Sequence, residues 1–336
     1  MDTYVEDKDS LFEELFSHLR KVETDGVVLD EDLLKRAERS LDTSTPKSTL
    51  WHLLSTGEAL LQLLQQDPRP LTRLLERDIS LIPFDDLKQS ITANKLEEGI
   101  NSTSIPVQLL CIAYLRKAAD TPSGASFVAA SSSLVQTLLG LWLASENTEV
   151  AERALEAIEG LLAVDSKDSI TVISAGERLG EAQGQGLLWR RIFQDADVYS
   201  ILFEWTSLAT SKRDINTKKG LQLVTISQAR LFDFIARAAP LGWAAVTTSS
   251  LPNVENKYMA GDGDQPYGGI LRYAASSMID SNDTLMEVLR QDFFVKLLGV
   301  VEDSNVQNVS PRLLEAIQQG AGVESTTDTQ DVGMHL

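Results

Sequence analysis

The chain has 336 residues, a hydrophobic fraction of 43% and a formal net charge of −19. That length exceeds what one compact core usually supports, and the apolar fraction is that of a folded chain rather than a disordered one. Such acidity repels phosphate backbones and argues against nucleic-acid binding, and no apolar run approaches the roughly 18–20 residues a membrane-spanning helix needs.

From the N-terminus, Met1–Asp9 is polar and acidic, unlike a signal or transit peptide. The first 32 residues hold eleven Asp or Glu against Lys8, Arg20 and Lys21, a net of −8. Such a run suits a basic partner, and it equally suits a solubilising role. Asp9–Lys21 and Asp30–Leu41 read as an opening helical pair, with Leu11, Phe12, Leu15, Phe16 and Leu19 at helical spacing. Pro46 starts a long helix carrying Leu50, Leu53, Leu54, Leu60, Leu61 and Leu64 on one face, and Asp67-Pro68-Arg69-Pro70 breaks it. A short helix over Leu71–Asp78 follows, then one over Phe84–Leu96 restarted by Pro83. Ile105–Ala118 is next, containing the one cysteine, Cys111, inside an apolar run. A lone cysteine excludes an internal disulfide and reads as a small core residue in a reducing, intracellular compartment. Pro122-Ser123-Gly124 reads as a break before a helix over Phe127–Ala144.

Glu149–Val164 is the cleanest amphipathic segment. Val150, Ala154, Leu155, Ile158, Leu161 and Leu162 form its apolar stripe, Asn147-Thr148 caps it, and Glu149, Glu152, Arg153, Glu156 and Glu159 face away. Ser169–Ile173 is rich in β-branched residues but has no partner strand at hairpin spacing, so it reads as helix or extended connection. Further on, Gln222–Ala238 and Leu285–Val301 repeat the amphipathic design, the latter with Leu285, Val288, Leu289, Val295, Leu297 and Leu298 as its stripe. A helix with one apolar stripe cannot bury it alone and must stack on neighbours. The expected fold is therefore all-α, an α-solenoid of HEAT/armadillo-like helical repeats wound into a curved superhelix. Residues 1–45 would be an acidic helical pair that caps the array, and 46–210 a first set of repeats. Residues 211–222 would form a basic polar loop or hinge. A second set over 223–319 would carry a long loop at 247–269, and 320–336 would be a disordered tail.

Chemistry-bearing patterns are sparse. His18, His52 and His335 are scattered, and with one cysteine they cannot make a structural zinc site, so no metal or cofactor is expected. A P-loop is absent, and Gly180, Gly184 and Gly186 lack the spacing and preceding strand of a dinucleotide fold. Asp262-Gly263-Asp264 opens like a calcium loop without its later ligands. Adjacent Asp85 and Asp86 point in different directions on a helix and make poor acid–base geometry, so no enzyme is expected.

Three segments stand apart: Gly184–Tyr199, with Trp189, Arg190, Arg191 and Phe193 at its centre; Gln228–Phe234; and Gly268–Met286. Together with the helical repeat pattern, they resemble the proteasome base-assembly chaperone family. That family is related to the proteasome non-ATPase regulatory subunit 5 family, and its fungal members carry a historical label as DNA mismatch-repair proteins. The resemblance implies a protein, monomeric when free and located in the cytoplasm and also the nucleus, that holds the C-terminal domain of one ATPase subunit of the proteasome base through a concave acidic face. This chain stops sooner than the family pattern leads one to expect. The first partner-binding candidates are Glu152, Glu156 and Glu159, followed by Asp195 and Asp197, then Asp283 and Glu287. Trp189 and Tyr199 are candidate aromatic anchors, with core packing the competing reading for both. Another HEAT/armadillo-repeat scaffold or transport adaptor would show the same patterning.

Overall fold

The computed structural model describes residues 8–166, 184–259, 266–303, 306 and 309–323, and among them every regular element is a helix. The chain divides into two compact units, Met1–Arg191 and Ile192–Leu336.

The first unit opens with α1 (Lys8–Asp25) and α2 (Glu31–Ser40), then α3 (Lys47–Leu63) and α4 (Arg69–Leu81). A single turn, α5 (Phe84–Leu87), precedes α6 (Ala93–Ile100) and α7 (Ile105–Ala118). The next helices are α8 (Pro122–Ala129), α9 (Ser132–Ala144), α10 (Thr148–Asp165) and α11 (Leu187–Gln194), which carries the chain across the division. Side-chain caps set many of these starts. Asp30 accepts from the Asp32 and Leu33 amides, Thr92 from Lys95, Thr121 from Gly124, Ser131 from Leu134 and Asn147 from Val150. Each satisfies amides that a helix start otherwise leaves orphaned.

The helices pair in sequence: α1 against α2, α3 against α4, α6 against α7, and α9 against α10. The second members, α2, α4, α7 and α10, lie side by side in that order; on the other side α1 meets α3 and α6 meets α9. Leucines dominate the interior, among them Leu15, Leu53, Leu74, Leu115, Leu139 and Leu161, none measurably exposed. Two glycines permit close crossings. A Cβ on Gly57 of α3 would sit 2.6 Å from Leu75 Cδ2 of α4, and one on Gly99 of α6 would collide with Cys111 Sγ of α7. Cys111 is itself buried, and burial, reinforced by Glu58, pushes its thiol up to about 12.

The second unit holds α12 (Ala196–Glu204), α13 (Lys218–Ala238), α14 (Trp243–Thr247) and α15 (Pro252–Glu255), followed by α16 (Gly269–Ser276), α17 (Thr284–Asp303) and α18 (Pro311–Gly320). The long α13 packs on α14, α16 and α17, and α17 packs on α18. Its core is aromatic. The Phe203 ring lies 5.0 Å from Tyr199, 4.9 Å from Tyr258 and 4.7 Å from Tyr273, while Phe232 meets Phe293 at 4.8 Å. Buried Gln228 ties irregular backbone together, donating through Nε2 to the carbonyls of Thr206 at 2.8 Å and Met278 at 2.5 Å.

Several elements differ from the sequence reading. Phe84–Leu96 is two helices, because the chain turns after Leu87 and Thr92 caps a new start. Phe127–Ala144 is also two: Pro122-Ser123-Gly124 begins α8 rather than breaking the chain, and Ser131 caps α9. The 211–222 loop ends at Thr217, whose hydroxyl caps α13, and the division between the units falls upstream, between Arg191 and Ile192. The 247–269 stretch contains the turn α15. In α17 the buried residues are Met286, Phe293, Phe294, Leu297 and Leu298, whereas Leu285, Val288 and Val295 are exposed by 63%, 56% and 50%. Ser169–Ile173, Asp262-Gly263-Asp264 and the tail beyond Val323 lie outside the described residues.

Candidate functional site

The row of second helices in the first unit presents one continuous charged face. On α4, Arg73, Glu76, Arg77 and Ser80 recur at i, i+3, i+4 and i+7, the spacing of a single helical face. Ala113, Arg116, Lys117 and Asp120 repeat that spacing from α7 into its C-terminal turn, and Glu149, Glu152, Arg153 and Glu156 do so on α10. Because α4, α7 and α10 are neighbours, the α4 and α10 sets and Arg116 of α7 line one surface groove of about 690 Å³ that also reaches Glu38 on α2. A second hollow of about 460 Å³ shares Glu76, Ser80, Arg116 and Arg153 with it and extends over Lys117 and Asp120.

Ion pairs cross-link this face. Arg153 Nη1 lies 2.7 Å from Glu76 of α4, and its Nη2 lies 2.9 Å from Glu149 of its own helix. Burial opposes the charge on Arg153, but Glu76, Glu149 and Glu156 more than offset it and hold the guanidinium above the usual arginine pKa. Arg116 pairs with Glu156 at 3.6 Å, joining α7 to α10. Arg77 donates to the Leu41 carbonyl at 3.0 Å, and Lys117 to the Ser80 carbonyl at 2.9 Å. Five glutamates and four arginines line the larger groove, so its local charge is nearly balanced. It is a mixed-charge face, and the strong acidity of the whole chain is carried elsewhere.

Beneath this face sits a polar group of another kind. Asp78 on α4 is fully buried, neither carboxylate oxygen has a hydrogen-bond partner, and desolvation pushes its pKa up to about 8. Tyr114 of α7 is close enough to feel the Asp78 charge, and its hydroxyl donates to Glu58 of α3.

Among the residues singled out in the sequence, Glu152 and Glu156 line the groove. Glu159 stands one turn further along α10, half-buried and outside the groove lining. Most of the other candidates have structural work. Trp189 lies at the start of α11, where Asp165 of α10, itself not among the candidates, accepts from the Leu188 amide at 2.6 Å and the Trp189 amide at 3.3 Å. Trp189 is 9% exposed, and its indole N–H donates to the Leu162 carbonyl at 3.0 Å. In the second unit Tyr199 is 2% exposed and donates its hydroxyl to buried Glu255 at 3.2 Å; burial, reinforced by the Glu255 carboxylate, raises the phenol's pKa. Neither aromatic ring is offered to a partner. Asp195 caps α12 by accepting from the Asp197 and Val198 amides, and exposed Asp197 stands in that first turn. Asp283 accepts from the Leu285 and Met286 amides at the start of α17, and Glu287 pairs with Arg290 at 2.6 Å.

The groove residues that sequence reasoning missed are Glu38, Arg73, Glu76, Arg77 and Arg116. Their signal was present as polar positions at helical spacing on the back of each apolar stripe. What a sequence read helix by helix lacks is the order in which those backs lie side by side. Among the described residues no cluster of His, Cys, Asp and Glu could hold a metal ion. No single described helix is long and apolar enough to cross a membrane; α8 and α9 reach that composition only together and are bent by 96°. No protein-family model matches this chain, and no curated protein matches it.

Proposed function

We propose that this chain is a HEAT/armadillo-like repeat protein that acts by holding another protein along the α2–α4–α7–α10 face. The observation that carries the reading is that face itself: four consecutive second helices aligned edge to edge, all turning polar positions into one groove. The first helices of the pairs begin at Lys8, Lys47, Ala93 and Ser132, an interval of about 40 residues that fits HEAT and armadillo units. In such arrays the aligned inner helices form the binding surface. The groove is open and three of its five carboxylates, Glu76, Glu149 and Glu156, are ion-paired with arginines, an arrangement suited to recognition rather than acid–base chemistry. Asp85 and Asp86 support no enzymatic reading either, since Asp85 bonds Lys88 and Ser123 and Asp86 pairs with Lys47 at 3.4 Å.

The partner we propose is the C-terminal domain of one ATPase subunit of the proteasome base, with the protein acting as an assembly chaperone in the cytoplasm and nucleus. The three segments that resemble the base-assembly chaperone family support this choice of partner, and the repeat pairing supports the architecture it needs. Affinity purification of the full chain from a cell extract, read by mass spectrometry, tests it. Enrichment of a single base ATPase subunit is expected, and its absence would end the reading. A scaffold or transport adaptor of the same architecture would instead return a different, reproducible partner.

Near-balanced charge alters the expected electrostatics. Steering by a uniformly acidic face would slow association steeply as salt rises. A mixed face should show a shallower dependence, with specificity resting on which charges meet.

A further inference from the structure

Most ionised groups in the groove are already satisfied from within it. Arg153 is held between Glu76 and Glu149, Arg116 is paired with Glu156, and Arg77 is bonded to the Leu41 carbonyl. Three lining residues differ: the side chains of Glu38 on α2, Arg73 on α4 and Glu152 on α10 form no hydrogen bond or ion pair among the described residues. Arg73 and Glu152 are exposed and Glu38 is half-exposed. Read along the helix row they run acidic, basic, acidic. Glu38 and Arg73 stand on adjacent helices, and Arg73 and Glu152 are separated by α7, with neighbouring axes about 8–10 Å apart.

We infer that the groove selects a protein segment presenting a cation, an anion and a second cation in that order, which meet Glu38, Arg73 and Glu152. The inference rests on the protein-binding reading above and specifies what the partner surface must carry. A charge already paired inside the groove gains little from a newcomer, since one interaction replaces another in partial solvent. A charge without a partner gains a full one, and the interface then excludes water from it. The internal pairs thus form a pre-set floor that keeps α4, α7 and α10 in register, and the three unpaired groups set sequence preference. The central arginine matters most for selectivity. A uniformly basic segment would satisfy both glutamates but set its middle cation against Arg73, and like charges brought together at an interface are strongly disfavoured.

The test titrates the full chain against the isolated C-terminal domain of each base ATPase subunit by calorimetry. Wild-type protein, Arg73→Glu, Arg73→Gln, Glu38→Gln and Glu152→Lys are compared. For the subunit that binds wild type, Arg73→Glu and Glu152→Lys should each weaken binding by about ten-fold or more, and Arg73→Gln and Glu38→Gln by less. The three sites are on the surface, so thermal melts of all variants should overlay. Binding by wild type with unchanged affinity in the Arg73 and Glu152 variants would overturn this inference and leave the proposed partner standing. Wild type binding none of the domains would overturn the partner, and the inference with it. A uniformly basic model peptide binding as tightly as the domain would remove the role given to Arg73.

Discussion

The two units solve the same problem, burying apolar helix faces, by different means. In the first, long helices pair with their sequence neighbours, leucines fill the interior and the polar backs align into a groove. In the second, several helices span only four to nine residues, too short for pairing alone to fix them. Large rings and buried side-chain ties take over, with Phe203 touching three other aromatic residues and Gln228 and Glu255 each holding two groups from separate segments. Regular pairing lines up polar helix backs side by side, whereas aromatic and polar ties fix short, irregular segments one by one. The contrast explains why the candidate site falls in the first unit.

The largest effect should come from the hub of the second unit. Phe203→Ala removes a fully buried ring shared by Tyr199, Tyr258 and Tyr273, which should cost about 3–5 kcal/mol. Hydrogen exchange should show faster opening throughout α12, α13 and α16 with α4, α7 and α10 unchanged. Equal loss of protection in both units would mean that they do not unfold as separate bodies.

A second break point lies in the first unit and is set by pH. The folded Asp78 titrates near 8 against an ordinary 3.8, so the fold favours its neutral form. Between these values the native state holds a proton that the unfolded chain has released, and stability falls as pH rises. From pH 4 to pH 7 the loss is on the order of 3–4 kcal/mol. Asp78→Asn, which cannot ionise, should flatten this slope and raise the melting temperature at pH 7. Parallel pH profiles for the two proteins would show that the carboxyl finds solvent or a partner in solution.

How much of this was legible in the sequence also follows the contrast. In the first unit the apolar stripe of α10, its Asn147 cap and its outward glutamates could all be read from spacing alone, because one face is apolar and the other is not. The Ser131 break could not, since the residues on both sides are apolar or small and only the cap geometry separates α8 from α9. In the second unit α17 misled. It carries Leu285, Val288 and Val295 on one side and Met286, Phe293, Phe294 and Leu297 on another, and periodicity has no means of choosing between two apolar stripes. The groove was legible as separate polar faces but not as a site, because Glu76 and Arg153, which meet at 2.7 Å, are 77 residues apart in sequence.

The close crossings of the first unit offer a sharper, smaller probe. Gly99→Ala places a methyl group against Cys111 Sγ where α6 and α7 meet, and overpacking of this kind should cost about 1–3 kcal/mol. Adding Cys111→Ala should recover part of the loss, since it removes the atom that the new methyl meets. Two independent losses that simply add would place the strain somewhere other than this crossing.

The smallest effects separate what holds the first unit together from what it displays. Asn147, the cap of α10, and Glu152 stand five residues apart, yet one side chain accepts the Val150 amide at 3.0 Å and the other has no partner among the described residues. Asn147→Ala should therefore cost about 1 kcal/mol, while Glu152→Lys should stay within about 0.5 kcal/mol of wild type. If denaturant titration instead gives Glu152→Lys the larger cost, its carboxylate belongs to the fold's own ion-pair network. The groove would then have one fewer group free to meet a partner.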